Sequence, residues 1–236
     1  MLFRSADAQH FDRAFISVNR LRGRKKPISA GKWIMDSGAF TEISTHGRYR
    51  TSVEEYAAEI NRWAYPGSGL IAAVSQDWMC EPFIVAKTGL SVEEHQRLTV
   101  ERYDALRALV HGVYLMPVLQ GYAPLDYVRH LEMYGNRLVF GAWVGVGSIC
   151  KRNANIFAID AVLSAIKDAR PDLRLHGFGL KMTSLGDGRI VEMLETADSL
   201  AWSFAARKQG RNANDWREAQ SFVHRITTQP VQGRLF

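Results

Sequence analysis

Cysteine is scarce in this 236-residue chain, with only Cys80 and Cys150 present. Two thiols cannot staple a disulfide scaffold, and their rarity suits a reducing compartment. Neither C-x-x-C nor H-x-x-x-H spacing occurs among these cysteines and the seven histidines, so no metal site is expected. No apolar run approaches the ~20 residues that a bilayer demands, which argues against a membrane-spanning helix. The opening stretch MLFRSADAQHF lacks the apolar segment and small-residue cleavage site of a secretory signal, so a cytoplasmic location is expected. Repeats, low-complexity tracts and long linkers are missing too. One domain spanning residues 1–236 is the simplest organisation at this length.

What is present reads as an ordinary packed protein, 47% hydrophobic and 23% charged. The formal net charge of +6 favours polyanionic partners without identifying one. Basic residues gather in two places: Arg20, Arg22, Arg24, Lys25 and Lys26, and then Arg207, Lys208, Arg211 and Arg217. Short β-prone runs at 14–18, 32–35, 71–75, 113–119, 138–146, 173–178 and 199–204 alternate with helical patterns. The helical patterns cover 53–63, 92–110, 125–134, 155–169, 189–194 and 214–226. Ser52 and Ser91, each followed by glutamates, read as helix caps with acids in the first turn. This alternation predicts an α/β protein with a parallel sheet. Seven or so βα units fit a compact (β/α)8 TIM-type barrel better than an open sheet.

Polar residues and glycines follow the apolar runs: Asp36-Ser37-Gly38, Gln76-Asp77, Gln120-Gly121 and Gly145-Val146-Gly147-Ser148. In a parallel barrel these strand ends open on one face, where the active site lies. A core strand ending in Asp or Gln costs stability unless the side chain is solvated or paired. Several such ends point to one polar pocket. Gly145 and Gly147 alone would read as tight turns, Asp36 as a turn former and Asp198 as a strand-end cap.

Taken in order, the strand-end motifs resemble a known family. Asp36-Ser37-Gly38-Ala39-Phe40, then the stretch QDWMCEP at 76–82, then Val118-Leu119-Gln120-Gly121, then Trp143-Val144-Gly145-Val146-Gly147 are similar to the pocket motifs of tRNA-guanine transglycosylases. Those read DSGGF, an acid in a DExxP-like context, VQGG and GLAVG. The likeness is closer to the DpdA family, the DNA-directed relatives that insert 7-cyano-7-deazaguanine (preQ0). The stretches KTGLSVEEHQ, HGFGLK and ADSLAWSFAAR also look like that family.

The resemblance implies a DNA-guanine transglycosylase that swaps guanine for a 7-deazaguanine through a covalent aspartyl-glycosyl intermediate. By resemblance Asp198 is the nucleophile and Asp36 the proton carrier, two carboxylates flanking an oxocarbenium-like centre. Asp77 would accept from the N1–H and 2-amino edge of guanine. Gln120 and backbone N–H groups near Gly145 would meet O6, with Trp143 and Ser148 completing the base site. Arg207, Lys208 and Arg211 would hold flanking phosphates. No cofactor is expected beyond the incoming base. The partners implied are DNA with its guanine flipped or single-stranded, and a duplex-opening ATPase of a modification system, in a bacterial or phage-infected cell.

Three departures from the tRNA enzymes bear on this. Where those carry VDMFDC, this chain reads Ala197-Asp198-Ser199-Leu200-Ala201-Trp202, with one aspartate instead of two. Either Asp198 has become the nucleophile or catalysis is lost, leaving a non-catalytic nucleic-acid-binding barrel. Ser148 stands where preQ1-using enzymes place an acid, and a neutral hydroxyl suits an uncharged nitrile. The C-terminal zinc element, three cysteines and a histidine, cannot be built here, which argues against the same exchange on tRNA. A small-molecule barrel enzyme is the remaining alternative.

Overall fold

The computed structural model describes residues 7–152 and 155–228; residues 1–6, 153–154 and 229–236 of the expected domain lie outside them. Eight parallel strands form two sheets of four. The first sheet holds β1 (Arg13–Ser17), β2 (Lys32–Asp36), β3 (Leu70–Val74) and β4 (Tyr114–Met116). The second holds β5 (Val118–Leu119), β6 (Trp143–Val146), β7 (Arg174–Gly177) and β8 (Thr196–Ala197). In both, strand order follows sequence order.

The helices come between and after the strands. After β2 come α1 (Ala39–His46) and α2 (Val53–Trp63), and after β3 come α3 (Pro82–Thr88) and α4 (Val92–Leu109). Helices α5 (Pro124–Tyr134) and α6 (Ile156–Ala169) follow β5 and β6; α7 (Met182–Leu185) and α8 (Gly188–Glu192) follow β7. Beyond β8 lie α9 (Ala201–Lys208) and α10 (Trp216–Thr228). The expected caps form. Ser52 and Ser91 accept from the backbone N–H of Glu55 and Glu94, whose carboxylates accept in return from the serine N–H.

Strand alternation places the core. In β1, Ala14 and Ile16 face one cluster with Trp33, Met35, Ala73 and the α2 side chains Tyr56 and Ile60. Phe15, Ile34, Ala72 and Val74 point the other way and join Met116, Val118 and Trp143. Both faces are covered, which is why these strands read as unbroken apolar runs. The second cluster draws on strands of both sheets, so their inner faces share one core.

The run read as one strand at 113–119 is split by Pro117, which has no N–H to give a ladder. Carbonyl groups on either side of the split serve opposite neighbours: Met116 accepts from Ser75 N–H and Pro117 from Gly145 N–H, both at 2.9 Å. The two sheets therefore adjoin along this run. Among the described residues no ladder joins β8 to β1, and the structure shows an α/β arrangement of two parallel four-stranded sheets. The run at 199–204 is also corrected. Ser199 Oγ accepts from Ala201 N–H at 3.2 Å and α9 begins there, burying Trp202 and Ala206 one turn apart. No helix among the described residues is long and apolar enough to cross a membrane.

Candidate active site

Beyond the C-terminal ends of the strands lies a cavity of about 190 Å³. Its wall includes Asp36, Asp77, Glu81, Gln120, Ser148 and Asp198 as polar members, with Phe15, Met79 and Phe178 among the apolar ones. Asp36 is the last residue of β2, and Gly38, at φ 74°, lets the chain turn straight into α1. Asp77 follows β3 in a fully buried stretch, its carbonyl accepting from Tyr49 OH at 2.9 Å. Asp198 follows β8, pinned by its N–H to Gly177 O at 3.2 Å and by its own carbonyl, which accepts from Leu180 N–H at 3.0 Å.

The side chains form one buried polar chain. Gln120 Nε2 donates to Asp77 Oδ2, and Ser37 Oγ donates to Asp77 Oδ1 at 3.4 Å. Ser148 Oγ lies 2.7 Å from Gln120 Oε1 and 3.0 Å from Glu81 Oε2, and accepts from Cys80 N–H at 2.9 Å. With one proton to give, this hydroxyl serves one of the two acceptors at a time. Ser148 holds φ 55°, an unusual backbone state for a residue with a side chain and one that concentrates at functional sites. Gln120 is fixed from behind: its N–H donates to His130 Nδ1 at 2.8 Å and its carbonyl accepts from Gln96 Nε2 at 2.6 Å. A Cβ at Gly147 would stand 2.1 Å from Gln120 Nε2, so only glycine lets that amide lie where it does.

Electrostatics separate the three aspartates. Burial, followed by the charge of Asp198, pushes Asp36 up to about 6. Burial pushes Asp77 up to about 7, with the Gln120 hydrogen bond resisting and the Asp36 charge adding. For Asp198, only 7% exposed, burial acts upward, yet the carboxyl is held below the ordinary range by His176 and the Gly179 N–H. Gly179 N donates to Asp198 Oδ1 at 3.0 Å. His176 Nε2 stands 3.4 Å from Oδ1, close enough to favour the carboxylate although the two are not well aligned for a hydrogen bond. Its Nδ1 is 2.8 Å from Thr196 Oγ1. Of the three aspartates in the cavity, one is thus biased toward the anion and two toward keeping a proton. Among the described residues no group of three His, Cys, Asp or Glu gathers as a metal would need.

The family model for DpdA, DeoxyPurine in DNA protein A, matches residues 4–219. The chain belongs to the DpdA family. Membership makes it a transglycosylase-type protein of DNA modification, with DNA as its substrate. No curated protein matches the chain.

Not every residue expected in this DpdA-family pocket is there. Asp36, Asp77, Gln120, Ser148 and Asp198 line it together. Trp143 does not: it lines a separate cavity at the opposite ends of the strands, its Nε1 donating to Thr196 Oγ1 at 3.1 Å. Gly145 does not either, and its N–H is spent on Pro117 O, while that of Gly147 goes to Leu119 O at 2.9 Å. Backbone donors for O6 are therefore unavailable at both glycines. Arg207 and Lys208 end α9, not a loop, and Arg211 is held by Glu218 at 3.0 Å and by Gln209 Oε1 at 2.6 Å.

Two members of the site carried no assignment in the sequence. Glu81 is 2% exposed, and its nearness to Ser148 means that this wall is not the neutral one read from Ser148 alone. The signal was an acid directly before Pro82, the first residue of α3. His176 was a polar residue inside an apolar strand, flanked by outward-facing Leu175.

Proposed function

We propose that this chain exchanges a guanine of DNA for a 7-deazaguanine, with Asp198 as nucleophile and Asp36 as proton carrier, on a (β/α)-barrel scaffold. The observation that carries this reading is a single cavity in which Asp198 is biased toward its anion while Asp36 sits near 6. A base-exchange reaction needs that split between a nucleophile and a proton-holding acid. In the first half, Asp198 attacks C1′ as the C1′–N9 bond breaks. The bonding pair leaves with guanine, which takes a proton from Asp36, and a glycosyl ester remains. In the second half the incoming base gives its N9 proton to Asp36, N9 attacks C1′, and the ester C–O bond breaks to restore the Asp198 carboxylate. Asp77 and Gln120 meet the base edge, at the cost of the bond they make to each other.

The incoming base is assigned as 7-cyano-7-deazaguanine, its nitrile accepting from the Ser148 hydroxyl, with Glu81 behind that hydroxyl as the competing acceptor. Reaching C1′ requires the guanine to leave the duplex stack, so single-stranded or flipped DNA is the substrate form, and a duplex-opening ATPase fits as a partner. Arg207 and Lys208 remain candidates for backbone phosphates. Trapping tests the mechanism. Denaturing gels of protein incubated with guanine-containing DNA are expected to show a covalent adduct that Asp198→Ala removes. An adduct that survives this change reassigns the nucleophile, and no adduct under any condition favours a binding module without catalysis.

A further inference from the structure

The rim of the cavity carries aromatic rings in solvent, each with a cation over it. Phe40 is 49% exposed and Phe83 48%, and Lys151 Nζ stands 5.1 Å from the first ring centroid and 5.7 Å from the second. Tyr122 is 45% exposed beneath the Arg152 guanidinium, at 4.4 Å, and Arg152 also donates to the Tyr122 carbonyl. These residues come from different segments of the chain, in α1, at the start of α3, after Gln120 and after Ser148. Each segment follows a strand, so all sit on the C-terminal face. Phe40 also lines the cavity itself. By contrast Phe140, 89% exposed, precedes β6 and lies toward the other end of that strand.

Two phenyl rings and a phenol leave about half of their surface in water on the face that holds the cavity, a face open to a ligand. Rings alternating with Lys and Arg are what a single strand of nucleic acid meets: bases stack on the rings while the cations take phosphates. A continuous duplex cannot use such rings, because its bases are already stacked. Among the described residues no ion pair includes Lys151 or Arg152; Arg152 donates from Nε to the Ser148 carbonyl and from a terminal nitrogen to that of Tyr122, neutral acceptors that fix the guanidinium over the rim without cancelling its charge.

We propose that Phe40, Phe83 and Tyr122, with Lys151 and Arg152, form a stacking platform for single-stranded DNA flanking the target guanine. This rests on the base-exchange reading for what enters the cavity, but it is tested apart from it. The experiment is fluorescence anisotropy with a labelled guanine-containing oligonucleotide, single-stranded and as duplex, for the wild type, Phe83→Ala, Phe83→Trp and Lys151→Gln. Phe83→Ala is expected to weaken single-strand binding about 5- to 100-fold while Phe83→Trp keeps it. Lys151→Gln is expected to weaken binding and reduce its salt dependence. Wild-type affinity in Phe83→Ala overturns the platform, as does an equal loss on duplex and single strand. Self-association of the wild type that Phe83→Ala abolishes would make a second copy the occupant and overturn it too. If the wild type forms no covalent adduct yet Phe83→Ala still loses single-strand affinity, the exchange reading falls and the platform stands.

Discussion

The two ends of the strands hold opposite chemistry. At the C-terminal ends, Asp36, Asp77 and Asp198 close in on one small cavity, mostly buried, with their titration moved in both directions. At the N-terminal ends a larger cavity, about 360 Å³, is lined by Arg13, Lys32 and Arg174, the first residues of β1, β2 and β7. Those cations are exposed, and a charge kept in water costs little. Phe15 and His176 stand between the two ends: Phe15 lines both cavities, while His176 lines the larger and faces Asp198. Size does not mark the site. Buried acids drawn together and shifted in opposite directions do, because such an arrangement suits acid–base chemistry better than packing.

The largest effect should separate the ends by activity. Asp36→Asn is expected to lower exchange roughly 10²- to 10⁴-fold, measured as release of labelled guanine from DNA. Adduct formation by the wild type should decline as pH rises through about 6, where Asp36 loses the proton that the leaving guanine needs. In Asp36→Asn that decline should be gone.

Stability should show the next contrast. A folded-state value near 7 for Asp77 means that its ionised form is disfavoured in the fold. Its contribution is therefore full below the ordinary aspartate value of 3.8 and is lost as pH rises through about 7, by up to roughly 4 kcal/mol. Urea unfolding at pH 5 and pH 8 should reveal the larger part of this loss, roughly 3 kcal/mol, in the wild type, and Asp77→Asn should reduce it.

The region between the ends gives a smaller effect. His176→Phe removes the imidazole that holds Asp198 down, so the pH at which adduct formation turns on should move upward, read from a pH series of gel-trapped adduct. An unchanged onset would remove His176 from the mechanism. Smallest of all, Arg13→Ala at the far end should change unfolding free energy by about 0.5 kcal/mol or less, with exchange unaffected. A large loss of exchange there would erase the distinction between the two ends.

Much of the site was legible because its members end strands, and strand ends announce themselves as a polar residue after an apolar run. Asp36, Asp77 and Gln120 carry that mark; Asp198 precedes the run expected as a strand at 199–204 and was placed in the site by the family resemblance alone. Depth along a strand does not. Trp143 and Gly147 belong to one motif and differ by an even number of residues, so both face inward, yet at ~3.3 Å per residue they stand about 13 Å apart. One lines the far cavity and the other the site. The helix at 201–208 was hidden because Ser-Leu-Ala-Trp-Ser-Phe alternates like a strand, and the choice fell to the Ser199 hydroxyl taking the Ala201 N–H and to Trp202 and Ala206 packing one turn apart.

The sequence by itself determined the local decisions: which serines cap helices, which short apolar runs become most of the strands, and which polar residues follow those runs in which order. These depend on neighbours within a few residues. Only the tertiary structure decided that Glu81 meets Ser148 across 67 positions, that His176 stands against Asp198, and that three aspartates share one enclosure. Desolvation belongs to an enclosure and not to a residue, so the bias of one acid toward its anion and of two toward their protons came into being only when the strand ends were brought together.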